Sequence, residues 1–64
     1  MKVKDLLKNA YCKGGVTVYR FDADGNEISK DHKAFVDWEK FDDDTLNAEV
    51  DNWSVVDNSI LIEL

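Results

Sequence analysis

Proline is absent from the 64 residues, and cysteine and histidine occur once each, as Cys12 and His32. Without proline the chain has no stiff linker and no slow native prolyl isomerisation, which fits a compact unit without a hinge. A lone cysteine excludes an internal disulfide, and a secreted domain this small ordinarily carries two or more, so a cytoplasmic setting is expected. One cysteine and one histidine also fall short of the four ligands of a structural zinc site within one subunit. No apolar run approaches the ~18 residues of a membrane span, and no basic leader precedes one. Neither membrane insertion nor a signal peptide is therefore expected, and the chain reads as the whole mature protein. Glycine is scarce too: Gly14-Gly15 has neither the spacing nor the following helix of a phosphate-cradling loop.

What is present describes a small folded domain. A length of 64 residues lies below the ~100 to 200 typical of one domain, so residues 1–64 are expected to form a single one. Such a chain buries only about 60% of the surface its unfolded form exposes, which leaves a thin core and little room for a water-excluding cavity. The apolar share of 44%, with 11% aromatic, is that of a folding chain rather than a disordered one.

Charge is abundant and unevenly placed. The net charge is −6, from 8 basic and 14 acidic residues. Met1 to Arg20 holds Lys2, Lys4, Lys8, Lys13 and Arg20 against Asp5, a local excess of +4. Phe21 to Leu64 carries three basic and thirteen acidic residues, or −10. An acidic chain repels phosphate backbones, so direct nucleic-acid binding is not expected. The asymmetry can still orient a partner or set one copy against another.

The periodicity outlines the elements. Val3, Leu6, Leu7, Ala10 and Tyr11 recur at helical spacing, and Gly14-Gly15 offers a stop, so an amphipathic helix is expected over about residues 2 to 12. Gly15 to Phe21 is rich in β-branched and aromatic residues, and Asp22-Ala23-Asp24-Gly25-Asn26 then leads into a short strand, Glu27-Ile28-Ser29, completing a hairpin. Ala34, Phe35, Trp38 and Phe41 fit a helical stripe, although Phe35 and Val36 also suit a strand. A short helical turn is the favoured reading there. Asp42-Asp43-Asp44 suits the start of a second helix near residues 43 to 49. Trp53 to Val56 and Ile60 to Leu64, joined by Asp57-Asn58, form a second hairpin. The expected fold is α+β: an N-terminal amphipathic helix on a four-stranded antiparallel sheet of two hairpins, joined by one or two short helices. Val16, Val18, Val55, Ile60 and Ile62 would face the helix.

Motifs that carry chemistry are sparse. With Gly25 at position six of a calcium loop, position one falls on the cationic Arg20 and position twelve on Asp31 instead of glutamate, so the segment reads as a plain turn. Asp42, Asp43 and Asp44 point in different directions from a helix and cannot converge on one ion. A Cys12–His32 nucleophilic pair can be written down, which makes a small hydrolase a remote alternative, but no third group orients the histidine. Pairs such as Asp37 and Glu39 say nothing in so acidic a chain. No catalytic, cofactor or metal residues are assigned, and no enzyme is expected.

Two surfaces could bind a protein. Phe35, Trp38 and Phe41, three rings in an acidic segment next to Asp42, Asp43 and Asp44, have the aromatic-and-charge character of interaction anchors, although packing of all three over the open sheet face is the plainer reading. Ser59 to Leu64 ends the chain with little charge; the plainer reading is an interior strand, but at an edge it would pair with another chain, so the protein is expected to be a monomer, or a homodimer through this C-terminal strand.

The stretch Leu46-Asn47-Ala48-Glu49-Val50-Asp51-Asn52-Trp53-Ser54-Val55-Val56-Asp57-Asn58-Ser59-Ile60-Leu61-Ile62 resembles small acidic uncharacterised proteins of Gram-positive bacterial phages and prophages. The basic opening helix, Lys2 to Ala10, and the Asp24-Gly25-Asn26 turn resemble theirs as well. The resemblance carries no catalytic residue and implies a cytoplasmic accessory protein that binds a host or phage macromolecule. The reading is thus a non-enzymatic interaction module with a protein partner; the alternative is an acidic nucleic-acid mimic that blocks a DNA-binding or DNA-cutting protein.

Overall fold

Val16 and Val18 on one strand and Ile60 and Ile62 on another are at most 1% exposed, and the fold is built around them. A computed structural model describes residues 1–64. It contains α1 (Val3–Lys8), β1 (Gly15–Phe21), β2 (Glu27–Ala34), a 3₁₀ helix (Phe35–Lys40), α2 (Asp43–Asn47), β3 (Asn52–Val56) and β4 (Ser59–Glu63). The sheet order is β2-β1-β4-β3.

Each hairpin is antiparallel within itself, but β1 and β4 run parallel, with Val16 opposite Ile60 and Val18 opposite Ile62. The sheet is therefore mixed, not antiparallel throughout as expected. A parallel pair needs a crossover of a dozen or more residues. Everything from β2 through the 3₁₀ helix, α2 and β3 lies between β1 and β4 in the chain, and it supplies that crossover. The strands that bring Val16 with Val18 and Ile60 with Ile62 under the helices take the centre, where neighbours cover both edges, and β2 and β3 are left outside.

The covered face holds Val3, Leu6 and Leu7 of α1 with Cys12, Val16, Val18, Phe35, Phe41, Ile60 and Ile62 in one cluster. Burying each such aliphatic side chain is worth about 1.5–3 kcal/mol relative to exposure. Trp38, Leu46, Val50 and Leu64 pack at its rim. On the other face of the sheet no hydrophobic residue is buried: Tyr19 and Leu61 are half covered, and Phe21, Ile28 and Val56 are exposed.

The first helix is shorter than its periodicity suggests. It spans Val3–Lys8 with Asn9 as C-cap, and Tyr11, at 76% exposure, meets only the edge of Phe35, with ring centroids 5.7 Å apart. Gly14 is used for a close approach, not as a helix stop. Its N–H donates to the Asn58 carbonyl at 2.8 Å, and a Cβ there would lie 2.6 Å from that oxygen. Gly15 serves β2 in the same way, since a Cβ would fall 2.4 Å from Cε1 of His32.

Strand β2 is longer than the Glu27-Ile28-Ser29 segment expected and continues to Ala34. Its alternation is masked because it is an edge strand carrying charges on both faces. Residues 35–40 form the short helical turn that the aromatic spacing favours, and α2 begins one residue after its N-cap, Asp42. Val55 is a further correction. It shares the face of Ile60, yet it lies on the outer strand beyond the reach of the helices and is 59% exposed.

Candidate interaction surface

The aromatic and acidic residues singled out in the sequence are divided by the fold. Phe35 and Phe41 are buried in the core, and Lys33 Nζ stands 5.4 Å from the centre of the Phe41 ring. Trp38 is half-buried and lines an open cleft of about 300 Å³ with Lys4, Lys8, Glu39 and Leu46. Asp42 turns its carboxylate onto the Thr45 N–H at 2.8 Å, capping α2. That backbone bond, with the Thr45 hydroxyl and the nearby Arg20 and Lys33 cations, holds its carboxyl below the ordinary value of 3.8. Asp43 and Asp44 are exposed in the first turn of the same helix. The six residues thus do not form one patch, because the helical stripe that unites the rings points inward while the acidic turn points out.

A second open cleft, of about 240 Å³, is lined by Asp31, His32, Lys33, Lys40, Phe41, Asp42 and Thr45. Beside it Arg20 Nη2 donates to the Thr45 hydroxyl at 3.0 Å. Cys12 and His32 do not meet through hydrogen bonds: the buried thiol contacts the Gly15 carbonyl oxygen at 3.6 Å, and His32 Nδ1 shares a 2.8 Å bond with the Thr17 hydroxyl. In the β1–β2 turn, Asp22 Oδ1 accepts the N–H groups of Asp24 and Asn26, each at 2.9 Å, and Gly25 takes φ 85°. These bonds, the one from Asn26 foremost, hold the Asp22 carboxyl below its ordinary value. The segment closes on itself as a turn. No group of three or more His, Cys, Asp or Glu side chains is placed to hold a metal ion.

Strand β4, which the sequence offered as a dimerisation edge only if it were not interior, is interior and has no free edge. It bonds β1 on one side and β3 on the other, because its Ile60 and Ile62 belong in the centre of the core. The open edges are β2 and β3.

The β3 edge has the more unusual surface. All five of its residues are exposed, with Trp53 at 45%, Val55 at 59% and Val56 at 48%. Trp53 and Val55 project on the helix side of the sheet, opposite Ile62 and Ile60, while Ser54 and Val56 project on the other. The direction of its free backbone groups follows from two bonds. Leu64 N–H donates to the Tyr19 carbonyl on β1, and Asp51 N–H donates to the Glu63 carbonyl, both at 2.9 Å. Even-numbered residues of β4 therefore bond towards β1 and odd-numbered ones towards β3. Through the register, the ladder to β4 uses Asn52, Ser54 and Val56. The N–H and C=O groups of Trp53 and Val55 point away from the sheet.

The turn after β3 keeps this hairpin tight. Asp57 and Asn58 both have positive φ, 50° and 65°, as a type I′ turn requires, and these two residue types tolerate that region better than most. Along the chain its neighbourhood is acidic: residues 42–64 hold seven Asp or Glu and no Lys, Arg or His, and of these acids Glu49 pairs with the N-terminal ammonium at 2.8 Å. Sequence reasoning missed this edge because it placed Val55 in the core. The charge-free run Asn52–Val56 between Asp51 and Asp57 was the available signal.

Comparison with family models, with curated proteins and with solved structures finds no match for this chain. No helix is long and apolar enough to cross a membrane.

Proposed function

We propose that this protein is a non-enzymatic protein-interaction module that takes an extended segment of its partner onto the β3 edge of the sheet. The observation that carries the reading is β3 itself: an outer strand without a charged side chain, with Trp53, Val55 and Val56 exposed and the backbone groups of two residues unpaired. Strand addition uses such groups for affinity and alternate side chains for selectivity. The proposed setting is cytoplasmic, where the unpaired Cys12 remains a thiol. An accessory role in a phage or other mobile element, implied by the resemblance of residues 46–62, suits a module of this kind.

Selection from a display library of random nine-residue peptides tests the reading. Peptides should enrich on the native chain and not on Val55→Pro, which removes an outward N–H, or on Val55→Lys, which guards the edge with charge. Enrichment that is equal on all three proteins would reject β3 as the docking edge.

The mimicry of nucleic acid by an acidic surface is the second reading, favoured by the seven acidic and no basic residues over 42–64. It predicts that Asp42→Asn, Asp43→Asn and Asp44→Asn together abolish capture by a basic DNA-binding protein. Peptide docking at β3 would survive those changes.

A further inference from the structure

We infer that the segment received by β3 belongs to a different protein and is basic at both ends, with apolar residues at alternate positions between them. The inference rests on the docking reading above and adds the chemistry of the occupant.

Asp51 and Asp57 bracket the strand, six positions apart and both exposed. At the rise of an antiparallel strand this is at most roughly 20 Å, since Asp57 already enters the turn, and it is within the span of a seven-residue extended peptide. Neither carboxylate is in an ion pair, and neither is Glu63, whose backbone pairs with Asn52. An added strand that bonds to Trp53 and Val55 carries its terminal side chains into this acidic bracket. Lys or Arg there meets unneutralised charge at both ends, and Asp or Glu meets repulsion. Apolar side chains at alternate positions of the added strand would extend the surface that Trp53 and Val55 begin.

The same bracket argues against a second copy. Antiparallel pairing of two β3 strands about a two-fold at Ser54 sets Asp51 opposite Asp57 of the other copy at both ends, and like charges directly opposed destabilise a strand pair. Residues 42–64 supply no cation to relieve it. The acidic flanks thus disfavour that pairing of two copies and favour a basic-ended partner.

Three synthetic heptapeptides test this directly: Lys-Thr-Val-Thr-Val-Thr-Arg, whose valines pair with Trp53 and Val55 when its ends face Asp51 and Asp57, the same core with Gln at both ends, and the same core with Glu at both ends. Binding is followed through Trp53 fluorescence in the Trp38→Phe chain. Two exposed ion pairs should make the basic peptide bind about two- to thirtyfold more tightly than the Gln peptide, with the Glu peptide weakest. The gap should narrow as salt rises from about 0.05 to 0.5 M, and Asp51→Asn with Asp57→Asn should erase it. Equal affinity for the three peptides would overturn the inference while leaving docking at β3 intact. If none binds while library peptides still depend on Val55, the inference falls and the docking reading stands. A native dimer in sedimentation that Val55→Lys dissolves would give the edge to a second copy and overturn the inference as well.

Discussion

Strands β2 and β3 flank the same central pair, yet β2 carries Glu27, Lys30, Asp31, His32 and Lys33 within eight residues, whereas β3 carries no charge in five. On β2, Lys30 lies over the Tyr19 ring, 5.7 Å from its centre, and the His32 ring sits against Gly15 and bonds Thr17. Edge lysines and tied-down side chains are how sheets avoid pairing with strangers. On β3 the charges stand just outside the strand, at Asp51 and Asp57, where they select what pairs without preventing it. The contrast teaches that an edge is open or closed according to where its charges fall along the strand, since both edges have unpaired backbone.

The largest effect separates the interior of the β3–β4 hairpin from its rim. Ile60 and Val55 are cross-strand neighbours on one face, but Ile60 is 1% exposed and Val55 59%. Ile60→Ala should cost about 2–5 kcal/mol in urea unfolding. Val55→Ala should stay within about 0.5 kcal/mol. Similar losses from the two would mean that β3 is packed like the core, and the contrast between the edges would collapse.

Proline sharpens the direction of the free groups. Ser54→Pro deletes a ladder donor and strands the Leu61 carbonyl, at a cost of about 1–3 kcal/mol. Val55→Pro deletes an outward donor and should cost clearly less, because edge strands admit proline where the N–H faces solvent. Thermal unfolding of the two variants side by side reads the difference, and the reverse order would shift the register of free groups by one residue.

Unguarding β2 should make it behave like β3. Lys30→Val removes a charge from that edge and the contact with Tyr19, and it should raise self-association in sedimentation at high protein concentration without changing peptide binding at β3. A variant that stays monomeric throughout would show that lysine is not what guards β2.

The smallest effect is acid sensitivity. Asp22 closes the β1–β2 turn and Asp42 caps α2, and both carboxyls titrate below 3.8 when folded. Their contribution is full above the unfolded value and is lost as pH falls through the lower folded values, so stability should be flat near neutrality and weaken below about pH 4. The β3–β4 turn has no such carboxylate bond, so amide exchange under acid should rise first around residues 22–26 and 42–45. Asp42→Asn, which keeps a capping oxygen but does not titrate, should remove part of this dependence. Uniform loosening of both hairpins would contradict it.

Much of this was legible in the residues. The hairpin at Asp57-Asn58, the turn at Asp24-Gly25, the aspartate cap of α2 and the membership of Val16, Val18, Ile60 and Ile62 in the core all follow from local patterns, because turn chemistry and two-residue alternation act over a few bonds. The extent of α1 was not legible, since a six-residue helix is held by packing and ends where the chain must bring Gly14 against Asn58. The aromatic residues left two readings open for a related reason. Phe35 and Phe41 at helical spacing look the same whether the stripe faces a partner or the molecule's own sheet.

Local sequence determined the elements and the unevenness of charge: which stretches turn, which alternate, and that no cation follows residue 40. Only the tertiary structure decided that β1 and β4 lie side by side and parallel, which buried the last strand and turned β3 outward. The physical reason is that strand order is set by burying Val16 and Val18 beside Ile60 and Ile62, between neighbours and beneath one layer of helices. That competition is settled among residues more than forty positions apart, as Val16 and Ile60 are, and no short window of the chain contains it.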